Sequence, residues 1–140
     1  MYTKDEITHI LSSIKKMGLS YPKELFATPV EELQKIFNGV GADWLSEKSR
    51  KTLNKVYECA QATAAIHDFR YHFSDGTRKS QHAADAEFLQ NGIEEVLYRN
   101  SNWLSLKRVF DERKILFGYK VLRRIGRLAW RDAFVERTVK

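Results

Sequence analysis

The spacing of the apolar residues constrains this 140-residue chain more than any other feature. Leu53, Val56, Tyr57, Ala60, Ala64, His67 and Tyr71 recur mostly at intervals of three or four, so one helix through them would carry all seven on a single face. No stretch alternates apolar and polar in the way a half-buried strand requires. The expected fold class is therefore all-α.

The punctuation agrees. Thr3 and Glu6 can form a capping box and Gly18 a C-terminal stop, with Ile7, Ile10, Leu11 and Ile14 at helical spacing between them. Thr28, Pro29 and Glu31 make a second start: cap, first-turn proline and an acid in the first turn. That short helix carries Leu33, Ile36 and Phe37 and stops at Asn38-Gly39. FNGVGADWLSEKSRK is a turn-rich connection. SDGTRKSQ breaks the next helix, and another runs from about Ala83 to Tyr98 with Phe88 and Leu89 inward. SNWLS precedes a last basic helix over roughly residues 105–135. No repeat or linker divides the chain, so residues 1–140 read as one domain.

Charge is divided unevenly. Residues 1–98 hold 12 Lys and Arg against 14 Asp and Glu, whereas residues 99–140 hold 12 against 4. A basic C-terminal segment suits nucleic acid, an anionic membrane surface or an acidic protein. The opening MYTKDEITHILSSIKK has acids and no h-region, so no secretory signal is expected and cytoplasmic synthesis is. Cys59 is the only cysteine, which excludes an internal disulfide and reads as a small buried hydrophobe. His72 and His82 lack metal-ligand spacing with each other or with Cys59, which argues against zinc.

His67, Asp68, Tyr71 and Asp85 carry the chemistry. Two antiparallel helices joined at SDGTRKSQ would bring facing residues together. Asp85 could then hold one imidazole nitrogen of His67 and leave the other to take a proton from water. That is the base–orienter logic of the hydrolytic triad with water as nucleophile. Tyr71, four residues from His67, could hold the Asp85 carboxylate. Asp68 lies about 100° around the helix and looks elsewhere. A carboxylate beside backbone carbonyls suits calcium, and Gly39 and Gly41 permit a loop that aims carbonyls inward.

Gly39-Val40-Gly41, His67-Asp68-x-x-Tyr71 and Ala84-Asp85-x-x-Phe88, with Asn91 after them, resemble the phospholipase A2 superfamily. The likeness is greatest to its small disulfide-free viral, phage and prophage forms, and it covers about residues 36–92. It implies paired antiparallel helices, here with extra N-terminal helices and the long basic C-terminal helix. It also implies calcium-dependent cleavage of the sn-2 ester of phospholipids. His67 would be the general base, Asp85 its partner, Asp68 the calcium carboxylate, and Phe37, Gly39 and Gly41 carbonyl ligands. A phage or prophage protein meeting a virion or an envelope is the implied context. Arg70 stands where secreted members have cysteine, and Ala42 where many have another glycine. If residues 47–67 formed one straight helix, the loop would lie ~30 Å from His67. Either the chain doubles back between Ala42 and Tyr57, or FNGVG is not a calcium loop.

On the basic helix, Lys120, Arg124, Arg127 and Arg131 fall within about 60° of one another. Val121, Ile125, Leu128 and Ala129 lie beside them. A phospholipid surface suits this pattern, with Trp130 entering the headgroup region. The alternative is a non-catalytic phage scaffold or binding module whose basic helix contacts nucleic acid, membrane or a virion protein. No zinc finger, RNP motif or glycine hinge supports nucleic acid.

Overall fold

A computed structural model describes residues 2–37, 47–102 and 105–139, without the side chains of residues 47–50 and 52. Gly39, Gly41 and most of FNGVG lie outside the described residues, as do Trp103 and Leu104 of SNWLS. Among the described residues there are six α-helices, one 3-10 turn and no strand.

Helix α1 spans Lys4–Met17. Its capping box closes as its sequence demands: the Glu6 amide donates to Thr3 Oγ1, and the Thr3 amide donates to Glu6 Oε2 at 2.7 Å. Gly18 ends it at φ 65°, a conformation open to glycine. Ile7, Ile10 and Ile14 are buried. Each is worth about 1.5–3 kcal/mol removed from water. After a 3-10 turn at Lys23–Ala27, α2 spans Val30–Ile36. The expected cap is not made. Pro29 occupies the N-cap position, and the Thr28 hydroxyl donates back to the Glu24 carbonyl, because Thr28 closes the preceding turn.

Helices α3 (Glu47–Cys59) and α4 (Gln61–His72) divide what the apolar spacing presents as one helix. Ala60 leaves helical geometry at φ −145°, ψ 58°. The bend thus lies at Ala60; residues 47–59 are helical and do not double back, and residues 42–46 lie outside the described residues. A bend orphans the first amides of α4. Buried Glu95 takes them up. It accepts from Thr63 N at 2.8 Å, Thr63 Oγ1 at 2.9 Å and Ala62 N at 3.4 Å, and pairs with Arg99.

Helix α5 spans Arg78–Arg99 and starts earlier than the sequence suggests, because Thr77 caps it by accepting from Ser80 N. Asp75 accepts from Thr77 N, Thr77 Oγ1 and Ser80 Oγ. These donors, Ser80 first, hold its carboxyl at about 2. The pairs Tyr71–Asp85, Arg70–Glu87 and Thr63–Glu95 advance in opposite directions, so α4 and α5 run antiparallel. Helix α6, Leu106–Val139, lies across α3, α4 and α5.

Helix α4 stands between two cores. On one side Ala62, Ala65, Ile66 and Phe69 pack with the isoleucines of α1 and with Leu33, Ile36 and Phe37. On the other, Val56, Phe88, Val96, Ile115 and Leu122 join α3, α5 and α6.

Candidate active site

His67 and Asp85 face each other from α4 and α5. His67 Nε2 lies 3.0 Å from Asp85 Oδ1. The Tyr71 hydroxyl donates to the same oxygen at 2.9 Å, and Gln81 Nε2 donates to Oδ2 at 3.4 Å. Asp85 is 0% exposed and His67 7%. A carboxylate sealed from water needs such donors, since each replaces a lost hydration bond. Burial, with Asp85 next, pushes the Tyr71 hydroxyl far above its ordinary range, so it remains a donor.

The imidazole is held on its faces as well. Tyr71 lies 4.3 Å away, centroid to centroid, and Phe88 meets it edge-on at 5.1 Å. With Nε2 committed to Asp85, the neutral tautomer that donates there carries its lone pair on Nδ1. Among the described residues, Nδ1 makes no hydrogen bond. The arrangement fits a positioned base whose second nitrogen can accept a proton.

Asp68 points to a different environment. The Tyr57 hydroxyl reaches both of its oxygens, at 3.0 and 3.1 Å. Those residues are eleven apart, about 16 Å of rise in a straight helix, so the bend at Ala60 makes this contact possible. Burial pushes the Asp68 carboxyl up to about 8, opposed by the Tyr57 hydrogen bond. No cation pairs with it among the described residues. A buried carboxyl lacking a positive partner fits a hard cation, whose charge would reverse that shift. Tyr2 adds to the upward shift of Tyr57, and its ring meets Phe37 edge-on at 6.5 Å. The end of α2, where Phe37 is the C-cap, thus comes to the Tyr57 side of α4. Gly39 and Gly41 lie outside the described residues. Among those described, no three His, Cys, Asp or Glu side chains converge.

The remaining expected residues separate. Lys120, Arg124 and Arg131 are exposed on α6, whereas Arg127 is half-buried and donates to the Gly76 carbonyl at 2.7 Å. Trp130 does not face outward. It is buried, packs edge-on against Tyr71 at 4.9 Å, and its carbonyl accepts from Ser74 Oγ. Among the described residues its indole N–H makes no hydrogen bond, though it lies near enough to Asp75 to add slightly to the lowering of that carboxyl. Asn91 clamps the loop after α1 through both the amide and the carbonyl of Ser20. Arg70 makes a bidentate pair with Glu87. Burial raises the Cys59 thiol to about 11, which suits an inert core residue.

Gln81, Tyr57 and Gly126 belong to the site and were not foreseen. Gln81 precedes Asp85 by one helical turn, a spacing that could have suggested it. Gly126 brings α6 over the Tyr71 hydroxyl, and a Cβ there would stand 2.3 Å from that oxygen. A cavity of about 540 Å³ lies between the Pro22–Thr28 turn, α4, α5 and Trp130. Ala84 and Trp130 line it, whereas His67 and Asp85 do not. Comparison with family models, with curated proteins and with solved structures finds no match for this chain.

Proposed function

We propose that the chain is a phospholipase A2-like hydrolase that cleaves the sn-2 ester of phospholipids, in a phage or prophage setting. The observation that carries this reading is the buried His67–Asp85–Tyr71 network, with Nε2 engaged and Nδ1 without a hydrogen bond among the described residues. Asp85 fixes the tautomer and ring plane of His67. Tyr71 and Gln81 fix Asp85. A water at Nδ1 gives up its proton to the ring as its oxygen attacks the ester carbonyl carbon. The imidazolium then returns that proton to the departing glycerol oxygen, and a fatty acid and a lysophospholipid leave.

Calcium suits the deprotonated Asp68 carboxylate, and bound there it would supply positive charge to the ester oxygen. Phe37, Gly39 and Gly41 are the carbonyl ligands that the resemblance proposes. Tyr57 keeps the Asp68 side chain oriented until a cation competes for it.

A second reading has its own support. Burial raises the Asp68 carboxyl to about 8, which favours its neutral form, and α6 exposes apolar and basic residues together. Both features suit a non-catalytic scaffold that binds a partner through α6. Fatty-acid release from mixed phospholipid vesicles, with calcium and with chelator, separates the two. The hydrolase reading expects calcium-dependent release that His67→Gln abolishes. Release equal to a blank at all calcium concentrations would leave the scaffold.

A further inference from the structure

Helix α6 has two apolar faces, and only one is used by the fold. Ile115, Leu122 and Ala129 point inward. On the opposite side Leu106, Phe110, Phe117, Leu128 and Val135 fall within about 40° of one another at 100° per residue. They are 73%, 57%, 59%, 51% and 47% exposed. An apolar stripe this long on a charged protein marks a contact surface. The helix has 34 residues, so the stripe runs for ~45 Å.

The charges on that side are of one sign. Arg113, Lys120, Arg124 and Arg131 lie within about 40° of one another and beside the stripe. All four are exposed, and none makes an ion pair among the described residues. Most cations elsewhere on the helix have partners: Lys107 and Lys114 on Asp111, Arg108 on Glu112, Arg127 on the Gly76 carbonyl, and Arg137 on the His72 and Ser74 carbonyls, while exposed Arg123 lies over the Tyr119 ring on another face. The acids of α6, at Asp111, Glu112, Asp132 and Glu136, all fall outside this arc.

We infer that the outward face of α6 docks on an anionic lipid bilayer surface. Its apolar residues enter the headgroup region, and its four free cations meet lipid phosphates. A second copy of the chain would set four cations against four, which repel. A duplex would satisfy the cations and leave five large apolar side chains in water. The inner face of the same helix covers Tyr71 at Gly126. The helix therefore stands between this surface and the Tyr71–Asp85 pair, which makes the surface a tether and not the substrate's entrance. The inference goes beyond hydrolysis and does not need it.

The test uses the full chain in chelator, with vesicles of phosphatidylcholine alone or mixed equally with phosphatidylglycerol. Binding to the mixed vesicles should be at least about tenfold tighter than to the neutral ones. Phe117→Ser with Leu128→Ser should weaken it about tenfold or more, at an unchanged melting temperature. Leu128→Trp supplies a reporter on the face, and its emission should shift to the blue on mixed vesicles. The inference is overturned by no vesicle binding, by an unshifted reporter while binding persists, or by serine variants that bind like wild type. Tighter binding to duplex DNA overturns it too, as does a concentration-dependent dimer abolished by Leu128→Glu. Because chelator is present throughout, these outcomes leave the hydrolytic reading to the fatty-acid assay.

Discussion

Gly126 and the Tyr71 hydroxyl are in such close approach that a methyl on Gly126 would stand 2.3 Å from the oxygen, yet 3.4 Å from the ring carbon that bears it. The steric conflict is therefore with the hydroxyl itself. That hydroxyl has no free space to retreat into, since it donates to Asp85 at 2.9 Å. Helix α6 therefore packs directly over the group that donates to Asp85.

Gly126→Ala should accordingly destabilise the protein by about 1–3 kcal/mol through overpacking. In a Tyr71→Phe background the same substitution should cost less by about 1 kcal/mol or more, because the oxygen it meets is gone. Tyr71→Phe alone should cost about 0.5–1.5 kcal/mol for the lost hydrogen bond. A denaturant double-mutant cycle gives all three numbers. Strictly additive values would mean that α6 does not press on this hydroxyl.

The second prediction concerns pH. The Asp68 carboxyl rises from 3.8 to about 8 in the fold, so the folded chain holds a proton that the unfolded chain has lost between those values. Stability from this group is therefore full at low pH, falls as pH rises from about 4 to about 8, and is flat above. Asp68→Asn should remove that slope from a plot of melting temperature against pH. The same proton must leave before calcium binds. Calcium affinity should rise about tenfold per pH unit up to about pH 8 and then level off. An affinity constant from pH 6 to 8, read by calorimetry, would remove Asp68 from the ligand set.

How much of this was legible in the sequence differs by element. The capping box and glycine stop of α1 are local, and local signals survive folding. The His67, Tyr71 and Asp85 spacing was legible because two helices and a short turn leave few ways to bring those side chains together. The bend at Ala60 was not. Alanine is a good helix former, and the apolar rhythm continues across it, so nothing local marks a stop. What stabilises the bend is Glu95, distant in the chain and pointing at it from α5. Trp130 was misplaced for a related reason. Helix α6 is apolar on two sides, and only tertiary contact decides which side is buried.

The third prediction follows from the bend. Glu95 is fully buried and serves Ala62 N, Thr63 N, Thr63 Oγ1 and Arg99. Glu95→Ala should cost about 3–5 kcal/mol, as removal of one member of a buried polar cluster does. Glu95→Gln keeps one acceptor oxygen and should cost about 1–3 kcal/mol. Urea titration distinguishes them. Hydrogen exchange at Thr63 should quicken in both variants, and unchanged protection there would show that α4 does not depend on this cap.

The last prediction tests the proposed base through a readout other than rate. Asp85 presents only acceptors, and three donors converge on it: His67 Nε2, the Tyr71 hydroxyl and Gln81 Nε2. Asp85→Asn replaces one acceptor oxygen with an NH₂ donor, which cannot face any of them as they stand. Tyr71 has a single hydroxyl proton already aimed at Oδ1. Gln81 is the one partner of Oδ2, and turning its amide presents Oε1 to the new NH₂ at no covalent cost. The amide oxygen then keeps the Oδ1 place, where His67 Nε2 and the Tyr71 hydroxyl both donate. His67 should therefore keep its proton on Nε2 and its lone pair on Nδ1. What is lost is the negative charge that steadies the imidazolium as it forms, so hydrolysis should fall by about 10²-fold or more while the chain still folds. Nitrogen NMR of the imidazole should show the same tautomer in variant and wild type. A proton moved to Nδ1 would mean that Asp85 acts by orienting the ring, and unchanged hydrolysis would remove the His67–Asp85 pair from the proposed mechanism.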